Sequence, residues 1–327
     1  MSSHEADSVI AGIGDAQAHG AGGFPEVALE AVATASRRGL TYSICTCVTR
    51  PSQYAEMVAS FQSAGFGFPD AEFLYVDNST SNGLDAFAAY NLFLRIARGR
   101  YVVLCHQDIV LRDDRTHLDR LIADIELLDP QWAVLGNAGG VSINRLAIRI
   151  SDRWGENARR GGPFPARVSS LDENFIIVRG EANLALSSDL RGFHLYGTDI
   201  CLIADLLGYH AYVIDFHVWH KGEGTVDEAF WSLRKALIVK YRRAFRARAI
   251  ATTCTNLVLT SCRVTGVIAN TEGGQRAIMY FLRSINRARK ILTLVGRVAG
   301  FSPGRHARFP FFTKQHASDS TKHRRLP

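Results

Sequence analysis

Between Leu40 and Gly139 the chain alternates four β-rich apolar runs with three amphipathic helical segments, and that alternation restricts its fold more than any other feature. LTYSICTCV (Leu40 to Val48), AEFLYVDNS (Ala71 to Ser79), YVVLCHQD (Tyr101 to Asp108) and WAVLGNAG (Trp132 to Gly139) read as strands. The first helix opens on Pro51, whose fixed φ suits a first helical position, and closes at Gly65. The second lies within NGLDAFAAYNLFLRIARG and closes at Gly99. The third, Thr116 to Leu128, carries Leu118, Leu121, Ile122, Ile125 and Leu128 on one stripe. Strands that are apolar throughout are covered on both faces. The expected class is therefore α/β, a sheet flanked by helices.

In open α/β sheets, ligands sit beyond the carboxyl ends of the strands. Thr49 and Arg50 follow the first strand, Asp77 and Asn78 end the second, and His106, Gln107 and Asp108 end the third. Three successive strands thus aim polar groups at one rim, which is a positional argument for a site.

Downstream, NRLAIRISDRW reads as an edge strand or hairpin and GENARRGGPFP as a loop. A strand is expected over Asn174 to Arg179, a helix over Leu195 to Gly208, and one strand from Tyr209 to His220. After Thr225 the pattern turns helical. Leu233, Leu237, Tyr241 and Phe245 share one face of a basic amphipathic helix, and a second helix covers about Gln275 to Val295. Residues 1–38 read as a flexible segment with a weak helix over Glu26 to Ser36, and 302–327 as a flexible tail.

Charge is divided unevenly. From Thr225 onward there are 20 Lys or Arg against 4 Asp or Glu, whereas the preceding part holds 18 against 27. A basic carboxyl-terminal third attracts an anionic partner. Cys45, Cys105 and Cys201 lie in apolar runs or in a helix, as buried thiols in a reducing compartment do. With no basic-then-apolar start and no apolar run of membrane-spanning length, the expectation is a cytoplasmic protein, peripheral at the inner face of the membrane at most.

A hard divalent cation such as Mg2+ or Mn2+ favours carboxylate and phosphate oxygens, and Mn2+ also accepts imidazole. Asp108 with His220, and His106 as a further candidate, have the chemistry to hold such an ion against a diphosphate. Asp77 is placed to accept from a base or a sugar, and Asp199 opens a helix. Each also has a plainer reading. Asp77-Asn78-Ser79 is a good turn former, Asp199 is an ordinary helix-start residue, and His220 is a strand-end hydrogen bonder. Asp172 and Glu173 precede a strand and are candidates to face an acceptor, Glu181 is a weaker candidate, and Trp219 reads as packing.

The segments YSICTCVTR, AEFLYVDNS, YNLFLRIARGRYVVLCHQD and LYGTDICLIADLLGYHAYVIDFHVWHKGEG resemble, in order and spacing, the family 2-like glycosyltransferases of the GT-A fold. The resemblance covers Leu40 to Gly224. It implies a Rossmann-like mixed sheet flanked by helices, with residues 39–224 as catalytic domain and 225–301 as a basic helical extension. It implies that Thr49 and Arg50 meet the nucleotide, that Asp77 with Asn78 holds the base or ribose, and that Asn91, ahead of Ala97, Gly99 and Tyr101, is a further nucleotide contact. The family's Asp-x-Asp is represented by His106-Gln107-Asp108, which keeps one Asp. Gly197-Thr198-Asp199 matches the segment that supplies the catalytic base, and His220 the late metal-binding His.

The implied function is inverting transfer of a sugar from a nucleotide sugar, a UDP-sugar being commonest in the family, to a hydroxyl of a saccharide or lipid-linked acceptor. Asp199 would be the base and Mn2+ or Mg2+ would assist departure of the diphosphate. The process this implies is polysaccharide biosynthesis. The alternative is a non-catalytic nucleotide- or carbohydrate-binding protein on the same scaffold. The basic helices suit a membrane surface or a homodimer, and with no reader motif beside them a nucleic acid is not expected. No GxGxxG follows the first strand, and the GEGT loop lacks the Lys-Ser/Thr of a P-loop. Both absences argue against a dinucleotide dehydrogenase and a P-loop hydrolase.

Overall fold

The computed structural model describes residues 39–298 apart from 82, 154, 223, 225 and 252–255. The helix expected over Glu26 to Ser36 and the segments 1–38 and 302–327 lie outside these residues. The described chain begins β1 (Leu40–Val48), α1 (Pro51–Ser63), β2 (Ala71–Asp77), α2 (Ala86–Ile96), β3 (Gly99–Cys105), β4 (Ile109–Leu111), α3 (Arg115–Leu128) and β5 (Trp132–Gly136). Pro51 does start α1, and α2 starts after Asp85, whose carboxylate accepts from Ala88 N at 2.9 Å. A cap of this kind contributes about 1 kcal/mol.

Five short strands follow, β6 (Ala138–Ser142), β7 (Arg145–Asp152), β8 (Gly155–Arg160), β9 (Ala166–Val168) and β10 (Ser170–Leu171), then β11 (Phe175–Arg179), α4 (Tyr196–Leu206), β12 (His210–Val213) and β13 (Val218–His220). The last part comprises α5 (Glu228–Ala244), β14 (Arg248–Ala251), β15 (Asn256–Leu259), α6 (Arg263–Ala269) and α7 (Glu272–Val298).

The large sheet has the order β2-β1-β3-β11-β5-β12-β9, parallel from β2 to β3 and interrupted by β11, which runs antiparallel to both neighbours. A smaller sheet, β10-β6-β7-β13-β4 with β8 on β7, stands at the rim. This is the mixed α/β architecture expected, with helices on both faces. Strand alternation divides the core in two. Val102, Leu104, Ile176 and Val178 face α2, α4 and α5, where Phe87, Phe93, Ile200 and Leu233 are buried. Tyr101, Val103, Phe175 and Ile177 face α1 and α3, against Phe61, Leu118, Ile122 and Ile125. Truncating one such Leu or Ile to Ala costs about 2–5 kcal/mol.

Four expectations are corrected. GENARR is not loop but β8, an exposed strand whose polar residues hid it. The run Tyr209 to His220 is two strands, β12 in the large sheet and β13 in the small one. A hairpin, β14 with β15, interrupts the helical carboxyl-terminal region. Phe245, expected on the buried stripe of α5, is 44% exposed, whereas Leu233, Leu237 and Tyr241 pack into the same core as the sheet. The extension is thus packed onto the α/β unit from its first helix.

Candidate active site

The third strand of the parallel set ends at Cys105, and the next three residues turn toward β4. Each of them has a different task. His106 N donates to the Asn174 carbonyl at 3.1 Å, which ties the turn to the start of β11. Gln107 reaches back to β1. Its Oε1 accepts from Thr49 N and Arg50 N, both at 2.8 Å, and its Nε2 donates to Thr49 Oγ1 at 2.8 Å. Asp108 meets β13, because β13 pairs antiparallel with β4 and places His220 opposite Ile109. Lys221 N closes the corner on the Asp108 carbonyl at 3.1 Å.

The result is a cluster of three side chains. His220 Nε2 lies 3.4 Å from Asp108 Oδ1 and 3.3 Å from His106 Nδ1. One ligand atom from each of His106, Asp108 and His220 falls within 4.8 Å of the other two. The other nitrogen of His106, Nε2, lies 3.1 Å from Tyr196 Oη, and that hydroxyl donates to the Glu173 carbonyl at 3.0 Å. A hydroxyl that gives its proton to Glu173 accepts from His106 Nε2–H. His106 Nδ1 is then left as a lone pair facing His220 and Asp108. Holding a ligand imidazole by its far nitrogen is the usual support of a metal site.

Electrostatics favour a neutral ring at His106. Burial and then the neighbouring His220 hold the His106 imidazole below its ordinary value, which favours its neutral form. Burial pulls His220 down as well, but the hydrogen bond and charge of Asp108 outweigh it and the net shift is upward. Burial raises Asp108, yet the His220 hydrogen bond and then the His220 charge bring it below the usual carboxylate range. Gly222 lies directly against the pair. A Cβ there would stand 2.4 Å from Asp108 Oδ2 and 3.2 Å from His220 Nε2, so only glycine leaves the carboxylate in place. Two imidazole nitrogens and one carboxylate oxygen fit a divalent ion that accepts nitrogen, such as Mn2+, better than Mg2+.

Around the cluster, Asp77 is exposed at the tip of β2, paired in register with Val48 next to Thr49. It accepts from Ser79 N at 2.9 Å, and the Ser79 hydrogen bonds hold its carboxyl below the usual range. Thr49, Arg50, Asp77, His106, Asp108 and His220 therefore share the rim that the strand order defines.

Three residues expected in the site are occupied elsewhere. Asn78 is buried; its Nδ2 donates to the Leu84 carbonyl at 2.8 Å and its Oδ1 accepts from Gly83 N and Leu84 N. Asn91 clamps Leu186, accepting from its N at 2.7 Å and donating to its O at 3.0 Å. Asp199 is fully buried and clamps the next residue, accepting from Ser187 N at 2.8 Å, Ser187 Oγ at 2.6 Å and Tyr241 Oη at 2.8 Å. Its oxygens hold the loop before α4 and the helix α5 in place and face no open space. In this arrangement Asp199 offers no accessible base, and the Asn78 and Asn91 amides are engaged by the backbone of Gly83, Leu84 and Leu186.

Two further carboxyls precede β11. β11 runs antiparallel to β3, with Phe175 opposite Cys105, so Asp172 and Glu173 lie at the rim where β3 ends. Burial and then the charge of Asp172 push the Glu173 carboxyl up to about 8, against lowering hydrogen bonds from the Gly197 and Leu195 amides. Glu181 is at the opposite end of β11, paired with Arg179 at 3.0 Å, and takes no part. Trp219 points away from the cluster across β13. Arg112 and Lys221 stand over its ring at 4.6 and 5.1 Å, beside a cavity of about 640 Å3.

The structure thus defines an α/β protein with a His-Asp-His cluster at the carboxyl ends of its strands. No family model matches the chain. A protein of Fuscovulum blasticum named ATP synthase subunits region ORF 6 is 41% identical over 218 residues, which cover 64% of this chain and 86% of that one. The chain belongs to the family of that protein, whose name assigns no activity. Among solved structures, S. aureus TarS 1-349 in complex with UDP-GlcNAc is similar at 15% identity over 62% of this chain and 66% of its own, with a TM-score of 0.43. GalNAc-T7 with UDP, GalNAc and Mn2+ is similar at 11% identity over 56% of this chain and 44% of its own, with a TM-score of 0.40. The chain spans less than two thirds of either solved chain.

Proposed function

We propose that the protein is a nucleotide-sugar-dependent glycosyltransferase of the inverting kind, with a UDP-sugar as donor and a hydroxyl of a saccharide or lipid-linked molecule as acceptor. The observation that carries the reading is the convergence of His106, Asp108 and His220 at the strand tips, on the same rim as Asp77 and the Gln107-clasped end of β1. Asp77 accepts hydrogen bonds from the base or ribose, and Arg50 faces the donor's negative charge. When bound by His106, Asp108 and His220, a divalent ion supplies positive charge against the donor diphosphate.

The base in this reading is Glu173. An acid whose ordinary pKa is near 4.3 is a poor proton acceptor, and one raised to about 8 is a good one close to neutral pH. Glu173 takes the proton of the acceptor hydroxyl. The acceptor oxygen bonds to the anomeric carbon while the bond to the diphosphate oxygen breaks, and one displacement inverts that carbon.

Two measurements test this, with UDP-, GDP- and dTDP-sugars and with Mn2+ or Mg2+ added. Mn2+-dependent binding of UDP and slow hydrolysis of a UDP-sugar are expected in the wild type, both lost in Asp108→Ala. A wild type that neither binds nor hydrolyses any of these donors overturns the reading. The enclosure of Asp199 favours a second reading, a nucleotide- or carbohydrate-binding protein without turnover. Binding that needs Asp108, with no hydrolysis and no effect of Glu173→Gln on any rate, would select it.

A further inference from the structure

We infer that the carboxyl-terminal unit, from the end of α5 through α7, is a docking surface for an anionic lipid bilayer. Two features occur together there. The first is a set of exposed apolar side chains on both helices. Val264, Val267 and Ile268 occupy one face of α6 at helical spacing and are 67%, 62% and 60% exposed, and Tyr280 and Phe281 on α7 are 75% and 64% exposed. Helices α6 and α7 pack on one another, so the two sets belong to one unit. The second feature is positive charge. Arg246, Arg248, Arg263, Arg276, Arg283 and Arg287 are all exposed on this unit. From Arg246 to Val298 the only acidic residue is Glu272, which pairs with Arg276.

A groove joins the two features. A cavity of about 660 Å3 lies between the end of α5, the β14–β15 hairpin and α6. Arg246, Arg248 and Arg263 stand on its walls together with Val258, Leu259 and Val267. Guanidinium groups beside aliphatic walls suit a phosphate headgroup with the start of its acyl chain. Among the described residues no helix is long and apolar enough to cross a membrane.

Charge decides among occupants. A second copy would bring the same cations face to face, which costs association. A nucleic acid would meet the arginines but would have no use for Val264, Val267 and Ile268, since phosphate contacts are polar. An anionic bilayer satisfies both sets.

The experiment is cosedimentation of the full chain with phosphatidylglycerol–phosphatidylcholine vesicles and with phosphatidylcholine vesicles alone. It needs no donor or acceptor and is independent of the transferase reading. Binding is expected to the mixed vesicles only and to be released by raised salt. Each arginine among Arg246, Arg263 and Arg283 changed to Gln should weaken it about five-fold. Val267→Ser with Ile268→Ser should weaken it further, and both variants should keep the wild-type circular dichroism because the side chains are exposed. If the serine pair unfolds, the Gln series alone decides. Equal sedimentation with both vesicle types, or none with either, overturns the inference. So does a stable dimer that blocks vesicle binding, or capture of duplex DNA in preference to vesicles.

Discussion

His106 and His220 are 114 residues apart in the chain, yet His106 Nδ1 lies 3.3 Å from His220 Nε2, with Asp108 Oδ1 3.4 Å from the same nitrogen. Two protonated rings would repel at that distance, so at least one nitrogen presents a lone pair. The Tyr196 hydroxyl, by accepting from His106 Nε2, determines which one it is.

Removing that hydroxyl should therefore act on metal affinity without touching a ligand. Tyr196→Phe is expected to weaken Mn2+ binding about 10–100-fold, as loss of such a support does elsewhere. Asp108→Ala should weaken it at least as much. Calorimetric titration with Mn2+ checks both, and a Tyr196→Phe protein with wild-type Mn2+ affinity would remove His106 from the ligand set.

Gly222→Ala separates geometry from folding. The added Cβ meets Asp108 Oδ2 at 2.4 Å and His220 Nε2 at 3.2 Å, both ends of side chains that can rotate aside. The fold should survive, with the urea midpoint little changed, while Mn2+-dependent UDP binding falls at least tenfold as the carboxylate leaves its position.

The strand tips were legible because an apolar run that stops on Asp77 or on His106-Gln107-Asp108 marks both the strand and its end. The mixed α/β layering followed from the same alternation. What could not be read was which polar residues face a ligand and which hold the chain. Asn78, Asn91 and Asp199 have the right types at the right places, but a loop clamp uses the same amides and carboxylates as a binding site. Only the Leu186–Ser187 loop, brought to Asn91 and Asp199 by the fold, tells the two apart. By sequence Glu173 reads only as facing an acceptor, since its raised carboxyl depends on the antiparallel course of β11 and on the closeness of Asp172. The break between β12 and β13 was hidden because one continuous apolar run can serve two sheets.

The clamp role of Asp199 makes its own prediction. Asp199→Asn replaces one acceptor oxygen with an NH2 donor opposite Ser187 N, Ser187 Oγ and Tyr241 Oη, and leaves at least one of these donors unmatched in a buried setting. Such a loss costs about 1–3 kcal/mol. Urea unfolding should show a destabilisation of that order, while Mn2+ affinity stays at the wild-type value. Lost turnover with unchanged stability would instead return Asp199 to the role of base.

Glu173 carries a prediction in pH that has two independent readouts. As a base it works in the deprotonated form, so donor turnover should rise with pH through an apparent pKa near 8 and fall below it. Glu173→Gln should remove that dependence and lower turnover about 10²–10⁴-fold, with UDP binding kept. The second readout is stability. The folded state holds the Glu173 proton up to about 8, whereas the unfolded chain releases it near the ordinary value of about 4.3. Between those values the folded protein binds more protons than the unfolded one, and stability declines as pH rises through the window. Urea midpoints of the wild type should fall relative to Glu173→Gln from about pH 4 to about pH 8 and run parallel outside that range. Midpoints that stay parallel across the whole window would mean that the carboxyl titrates normally, and with that the assignment of Glu173 as base would be lost.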